Sequence, residues 1–116
     1  MAVFKAKVIK GTGRGRRLGF PTANLDKFDL KLSHGVYLIE AELSGKTYRG
    51  LMHFGPRKTF EGKVTVEAYL DDFKHNAYGK TLAVKVIRRI RTIKKFKTAE
   101  ELRQQIEKDL KELDKS

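Results

Sequence analysis

The hydrophobic pattern of this chain changes its period at Thr98, and this change restricts the fold more than any other feature. Beyond it, apolar residues recur at steps of three and four, as on one face of an α-helix: Ala99, Leu102, Ile106, Leu110 and Leu113. Thr98 and Glu101 form a T-x-x-E capping box, whose two side chains accept hydrogen bonds from backbone amides at the helix start. The pattern therefore predicts a C-terminal helix that begins just after Thr98.

Before Thr98, short segments alternate apolar and polar residues, which is typical of β-strands. The first alternation starts at Phe4, and further strands are predicted at residues 36–43, 47–54, 63–71 and 82–90. Ser44-Gly45-Lys46 predicts a short turn that joins two of these strands in a hairpin. We expect a mainly β fold: a small closed antiparallel barrel, Greek-key-like, of about six strands, with the C-terminal helix packed on it, because closure removes exposed sheet edges.

The length of 116 residues leaves room for one domain, residues 1–116, with a single core. A content of 40% hydrophobic and 34% charged residues is typical of a folded globular protein. The lack of cysteine excludes disulfides and thiolate metal sites. No apolar stretch approaches the roughly 20 residues of a membrane span. The N-terminus also lacks an apolar signal core, so we expect a cytoplasmic protein without a membrane partner.

The chain is strongly basic, since 26 lysines and arginines outnumber 14 acidic residues and give a net charge of +12. The electrostatic field of such a charge attracts anions, and both polyphosphate nucleotides and nucleic acids are anions of this kind. The basic side chains concentrate in residues 1–17 and 85–97. The alternative explanation for such runs is a solvated face that only aids solubility.

A glycine-rich segment follows the first strand and alternates glycine with arginine: Gly11, Gly13, Arg14, Gly15, Arg16 and Arg17. Glycine lets backbone amides approach a phosphate, and the arginines could neutralise the phosphate charge. The spacing is neither that of a P-loop nor that of a dinucleotide fingerprint. A basic arm that binds nucleic acid would fit this segment as well.

Two neutral oxygen donors, Thr22 and Asn24, come shortly after this segment. In an extended segment, alternate residues lie on one face, so both donors could reach one ion. Mg²⁺ prefers oxygen ligands and usually takes few of them from protein. The alternative is a turn in which both side chains satisfy their own backbone.

The segment from Gly11 to Asn24, Gly-Thr-Gly-Arg-Gly-Arg-Arg-Leu-Gly-Phe-Pro-Thr-Ala-Asn, resembles the signature of the riboflavin kinases, or flavokinases. The resemblance covers nearly the whole chain. It continues in family order through Gly35-Val36-Tyr37, residues 66–73, Tyr78-Gly79, Arg91, Lys95-Phe96, Glu101-Leu102, Ile106 and Asp109.

The resemblance implies transfer of a phosphoryl group from a nucleoside triphosphate, ATP, to the ribityl 5′-hydroxyl of riboflavin, giving FMN and ADP. It implies that Thr22 and Asn24 hold Mg²⁺, that Glu67 is the catalytic base, and that Arg91 and Phe96 bind the flavin. The nucleotide would be bound by Gly11, Gly13, Arg14, Gly15, Arg16, Gly19, Pro21 and Thr22. Many bacterial relatives add a nucleotidyltransferase that makes FAD; we expect no FAD synthesis here, because that domain does not fit in this length.

Glu67 lies in the predicted strand 63–71, on the face opposite to Val64, Val66 and Ala68. Phosphoryl transfer depends on positioning and charge neutralisation, so one carboxylate beside the attacking hydroxyl and one metal ion form a sufficient set. The alternative for Glu67 is a solvent-facing strand residue.

The chain departs from the family pattern at loops that would border substrates. His53 and Lys58 replace the asparagine and proline of the usual Asn-Ile-Gly-x-x-Pro-Thr-Phe, Ile93 replaces an acidic residue, and Asn76-Ala77 replaces Asp-Leu before Tyr78. Donor preference, flavin affinity and the acceptor's identity are therefore open. A lone histidine on a strand is more often structural than catalytic, and we interpret His53 in that way.

The competing hypothesis is a basic β-barrel that binds single-stranded nucleic acid, or a non-catalytic flavin- or nucleotide-binding module. Barrels that bind single strands stack bases on aromatic side chains, and residues 5–17 and 85–95 contain none. The set of Thr22, Asn24 and Glu67 favours an enzyme, because a pure binder does not need it. We expect a monomer with small-molecule partners and no specific nucleic acid.

Overall fold

A computed structural model describes residues 3–9, 22–27, 29–56, 64–71, 73 and 77–114. The strands are β1 (Val3–Ile9), β2 (Ala23–Leu25), β3 (Gly35–Leu43), β4 (Lys46–Pro56), β5 (Val64–Leu70) and β6 (Thr81–Arg91), and the helix is α1 (Ala99–Asp114). Each strand expected from alternation is present, within two residues of its expected ends. The extended segment that carries Asn24 forms β2.

The strands close into a barrel in the order β1-β2-β5-β4-β3-β6, and every neighbouring pair is antiparallel. β3, β4 and β5 lie side by side in chain order, and β6 returns to the other side of β3. This arrangement is a Greek key. The expected closed Greek-key barrel is confirmed, and closure gives each strand a neighbouring strand on both sides.

The hairpin between β3 and β4 has a two-residue turn, Ser44-Gly45, flanked by the partners Leu43 and Lys46. Both turn residues have positive φ, 52° for Ser44 and 81° for Gly45. Positive φ at both positions is typical of the type I′ turn, whose twist matches that of the flanking strands. The turn is one residue shorter than expected, because Lys46 already pairs in β4.

The core fills the barrel with the inward residues of all the strands, and its most deeply buried members include Ile39, Met52, Leu82, Val84 and Val86. A second, smaller cluster lies outside the barrel, where α1 covers β3, β4 and β6. It joins Leu110 and Leu113 of α1 to Leu38, Leu51, Ile87 and Ile90. The C-terminal part of the apolar stripe expected on the helix, Leu110 and Leu113, therefore faces the sheet, whereas Ala99 at its start is exposed.

The cap of α1 differs from the expected box by one residue. The Glu101 amide donates to Thr98 Oγ1 at 3.1 Å, as expected, but Glu101 Oε2 accepts from the Lys97 amide at 3.0 Å. The reciprocal bond therefore satisfies the backbone amide of Lys97, the residue before the cap. The exposed face of α1 carries Arg103 bonded to both Glu100 and Glu107, and the Arg103 guanidinium holds the pKa of Glu100 below its ordinary value. Within the described part of the chain, no helix is long and apolar enough to span a membrane.

Candidate active site

Strand register aligns five residues across the outer surface of the barrel. Asn24 on β2 is the partner of Glu67 on β5, and Glu67 is the partner of His53 on β4. His53 also pairs with Val36 on β3, and Val36 pairs with Arg91 on β6. Because register partners share a face of the sheet, these residues form one line, which we call the outer row.

Glu67 points away from the barrel interior and is nevertheless buried. Its neighbours Val66 and Ala68 belong to the core, as the alternation predicts. Glu67 itself is only 4% exposed, so the alternative of a solvent-facing residue is wrong. Burial of a carboxylate costs free energy that neighbouring polar groups must offset, and the outer row places such groups beside it.

Thr22 and Asn24 lie directly beside this carboxylate. Thr22 Oγ1 is 3.4 Å from Glu67 Oε1, a long hydrogen bond between residues 45 positions apart in sequence. Asn24 is the cross-strand neighbour of Glu67, and it also pairs with Ile9 of β1. Thr22 is exposed and Asn24 is partly buried, so this end of the outer row is open to solvent.

Backbone and side-chain bonds fix β2 in place at the point where it meets β1. The Lys7 amide donates to Asp26 Oδ1 at 2.7 Å, and the Asp26 amide donates to the Lys7 carbonyl at 3.0 Å. Leu25, between Asn24 and Asp26, is buried in the core at 1% exposure. Insertion of Leu25 into the core turns Asn24 outward.

The donors at this end of the outer row suit a hard cation. A hydroxyl, an amide oxygen and a carboxylate are oxygen ligands of the kind that Mg²⁺ accepts, with phosphate and water supplying the rest. Thr22 and Asn24 are therefore the residues that could hold such an ion next to Glu67.

Arg91 stands at the other end of the outer row, and its guanidinium binds Asp109 of α1. Nε is 2.9 and 3.1 Å from the two carboxylate oxygens of Asp109, and Nη2 is 2.8 Å from Oδ2. Nη1 donates to the Thr92 carbonyl at 3.0 Å. The second expected flavin-binding residue, Phe96, is partly buried in the segment between β6 and α1. Both residues therefore lie where the chain passes from the barrel to the helix.

Two glycines allow the end of β6 and the segment after it to lie close to the β3–β4 hairpin. A Cβ at Gly35 would come within 2.7 Å of Arg89 Nε and of the Arg91 carbonyl oxygen. Gly55 has a φ of +152°, and a Cβ there would lie 3.1 Å from Ile93 Cγ1. Ile93, which stands where the family has an acidic residue, therefore packs on the hairpin.

Several predicted residues fall outside the part of the chain that the structure describes. They are Gly11, Gly13, Arg14, Gly15, Arg16, Gly19 and Pro21 of the nucleotide-binding set, and Lys58 and Asn76 among the departures. Ala77, another departure, is described and is buried in the core at 6% exposure.

Sequence reasoning missed the position of His53, which it treated as structural. The two-residue turn of the β3–β4 hairpin places His53 opposite Val36, and that pairing could have been counted from the turn. Its second pairing, with Glu67, depends on the contact of β4 with β5. No pattern among neighbouring residues in the sequence predicts the pairing of His53 with Glu67.

The chain matches the family model for riboflavin kinase over residues 2–116. The bifunctional riboflavin kinase/FMN adenylyltransferase of Bacillus subtilis is 40% identical over 114 residues, covering 93% of this chain and 36% of that protein. The RNA-binding riboflavin kinase RibR of the same organism is 35% identical, covering 95% of this chain and 49% of that protein. This chain thus spans half or less of the length of these relatives.

A solved structure named as a macrolide-efflux protein from Streptococcus pneumoniae has the same fold, with a TM-score of 0.84 and 33% identity. The match covers 94% of this chain and 37% of that one. The family model spans every strand of the barrel and α1, including the whole outer row. This chain belongs to the riboflavin kinase family.

Proposed function

We propose that this chain phosphorylates riboflavin at the ribityl 5′-hydroxyl, using ATP and Mg²⁺, and releases FMN and ADP. The observation that supports this most strongly is the meeting of Thr22 and Asn24 with the buried Glu67 on adjacent strands. Such a set provides metal ligands and a proton acceptor within one small patch, as phosphoryl transfer requires.

In the proposed reaction, Glu67 accepts the proton of the 5′-hydroxyl as its oxygen forms a bond to the γ-phosphorus. The bond between that phosphorus and the bridging oxygen of ADP breaks, and ADP leaves with the electron pair. Thr22 and Asn24 would hold Mg²⁺, which would supply charge neutralisation for the transferred phosphate. The Thr22 hydroxyl also restrains one oxygen of Glu67, through the 3.4 Å contact.

The remaining site residues are assigned from the resemblance to the riboflavin kinases. Residues 11–21 would bind the nucleotide phosphates through Gly11, Gly13, Gly15 and Gly19 and through the charges of Arg14 and Arg16. Arg91 and Phe96 would bind the flavin, at the end of the outer row that α1 covers.

We further propose that residues 1–116 act as a single catalytic domain, monomeric and cytoplasmic. The closed barrel supports the monomer, because each of its strands already has a neighbouring strand on both sides.

Mass spectrometry tests the reaction directly. The protein is incubated with riboflavin, ATP and Mg²⁺, and we expect a product heavier than riboflavin by one phosphate. A matched reaction with EDTA should give none. Failure of the folded protein to convert riboflavin under these conditions would overturn the proposed function.

Replacement of both Thr22 and Asn24 by alanine should weaken binding of Mg-nucleotide by at least about tenfold, because each substitution removes an oxygen ligand of the metal ion. The variant should remain folded, since Thr22 is exposed and Asn24 only partly buried, but loss of the Thr22 contact with the buried Glu67 should lower its melting temperature. Calorimetric titration measures the affinity, and Thr47→Ala, an exposed threonine on β4, is the control. Unchanged affinity in the double variant would contradict the assignment of Thr22 and Asn24 as metal ligands.

Nucleic acid should bind this basic chain weakly, without sequence preference, and its affinity should fall steeply with salt because binding releases counterions. Fluorescence anisotropy with a labelled single strand at several salt concentrations measures this. Tight, sequence-specific binding at physiological salt would favour a nucleic-acid-binding function instead.

A further inference from the structure

His53 is the cross-strand neighbour of Glu67 on the side away from β2. The two residues are register partners on β4 and β5, and directly opposite residues of an antiparallel pair have Cβ atoms about 4.5–5.5 Å apart. Glu67 thus stands between Asn24 on one side and His53 on the other.

His53 is partly buried beside Glu67, and part of its imidazole is shielded from solvent. His53 Nδ1 and Glu67 Oε2 are both buried from solvent, and these two atoms do not bond to each other in this structure. On its other side His53 has Val36, which is 4% exposed and offers no polar group. Of its two register partners, Glu67 is therefore the one to which an imidazole N–H can donate.

A carboxylate that acts as a base must hold a narrow orientation toward the hydroxyl. A misplacement of about 1 Å can cost about a hundredfold in rate. Thr22 restrains Glu67 from the β2 side, through Oε1. A second restraint from the β4 side would fix the carboxylate plane between two strands.

We propose that His53 is a positioning residue for the reaction: when the substrates are bound, its imidazole N–H donates to the Glu67 carboxylate and holds it in the orientation that accepts the substrate proton. This inference rests on the proposed function. His53 acts through Glu67 and does not itself take the proton, because a full strand separates it from β2 and the metal ligands.

The test compares three substitutions of His53 in steady-state and single-turnover assays. His53→Ala should lower kcat by about 10- to 100-fold, with KM for riboflavin and for ATP changed less than about threefold. His53→Asn and His53→Gln keep an amide donor near the positions of Nδ1 and Nε2, respectively. One of the two should restore kcat to within about fivefold of the native value.

His34→Ala is the matched control, since His34 is exposed and its ring contacts Phe54 rather than the outer row. It should leave kcat unchanged. A folded His53→Ala variant with native kcat would overturn the proposal, as would equal losses of kcat in the Ala, Asn and Gln variants.

A measurement that needs no activity separates this inference from the proposed function. Denaturant unfolding of the native protein, His53→Ala, Glu67→Gln and the double variant measures the interaction free energy between the two residues. The unfolding constant of the double variant should differ by about threefold or more from the value expected for independent residues. Additive effects would overturn the His53 assignment, whereas lack of FMN formation by the native protein overturns the proposed function.

Discussion

Glu67→Gln should reduce turnover by about two to four orders of magnitude, the usual loss for removal of a general base. The substitution keeps the size of the side chain and the hydrogen-bond acceptor that Thr22 reaches at 3.4 Å, but it removes the basic oxygen. Affinity for riboflavin and for Mg-nucleotide should change far less, because these depend on other residues. Single-turnover rates of FMN formation and equilibrium titrations measure the two quantities separately.

Glu42→Gln provides the control for this substitution. Glu42 is an exposed glutamate on β3, outside the outer row, and its replacement makes the same change in charge. It should leave turnover unchanged, and thermal melts should find both variants folded. Near-native turnover of folded Glu67→Gln would contradict the role of Glu67 as the base, and another group would then have to activate the hydroxyl.

Asp109→Ala should lower the free energy of unfolding by about 3–5 kcal/mol, the usual cost of breaking a buried ion pair by removing one partner. The side chains of Arg91 and Asp109 are 14% and 5% exposed. The substitution therefore leaves the guanidinium shielded from water without its carboxylate. It also removes the acceptor of the Gln105 side chain, which donates to Asp109 Oδ1 at 2.9 Å. Urea unfolding monitored by circular dichroism measures the loss.

A second ion pair between the same two elements serves as the control. Arg88 of β6 contacts Glu112 of α1 at 2.8 Å, but the two side chains are 46% and 27% exposed. Glu112→Ala should cost less than about 1 kcal/mol, because water screens an exposed pair. Equal losses in the two variants would mean that burial does not determine the strength of these contacts. Because Arg91 is expected to bind the flavin, Asp109→Ala should also weaken riboflavin binding.

The sequence predicted well the features that depend on neighbouring residues. Helix α1 and the Thr98 cap follow from spacings of three and four, and the β3–β4 hairpin follows from alternation around Ser44-Gly45. These signals are local, so one segment contains the whole pattern. The face on which Glu67 lies was predictable for the same reason.

Apart from pairs set by a short hairpin turn, the sequence could not predict which residues meet across strands. Alternation places Glu67 on the outer face but does not name its partners, and the contact with Thr22 spans 45 positions. The burial of Glu67 was unexpected because it depends on the neighbouring strands. The family resemblance indicated the roles of Thr22, Asn24 and Glu67, whereas His53 and Ile93 had to be located through long-range packing.

The barrel is closed at β2, which has three residues and meets β1 through two register pairs and β5 through three. The proposed metal ligand Asn24 belongs to this short strand, and Thr22 directly precedes it. A ligand held there would bind the seam of the barrel, so seam opening and ligand release would be linked equilibria. Binding of the nucleotide would then also stabilise the closed barrel. Without a ligand, the sheet would separate first at β2.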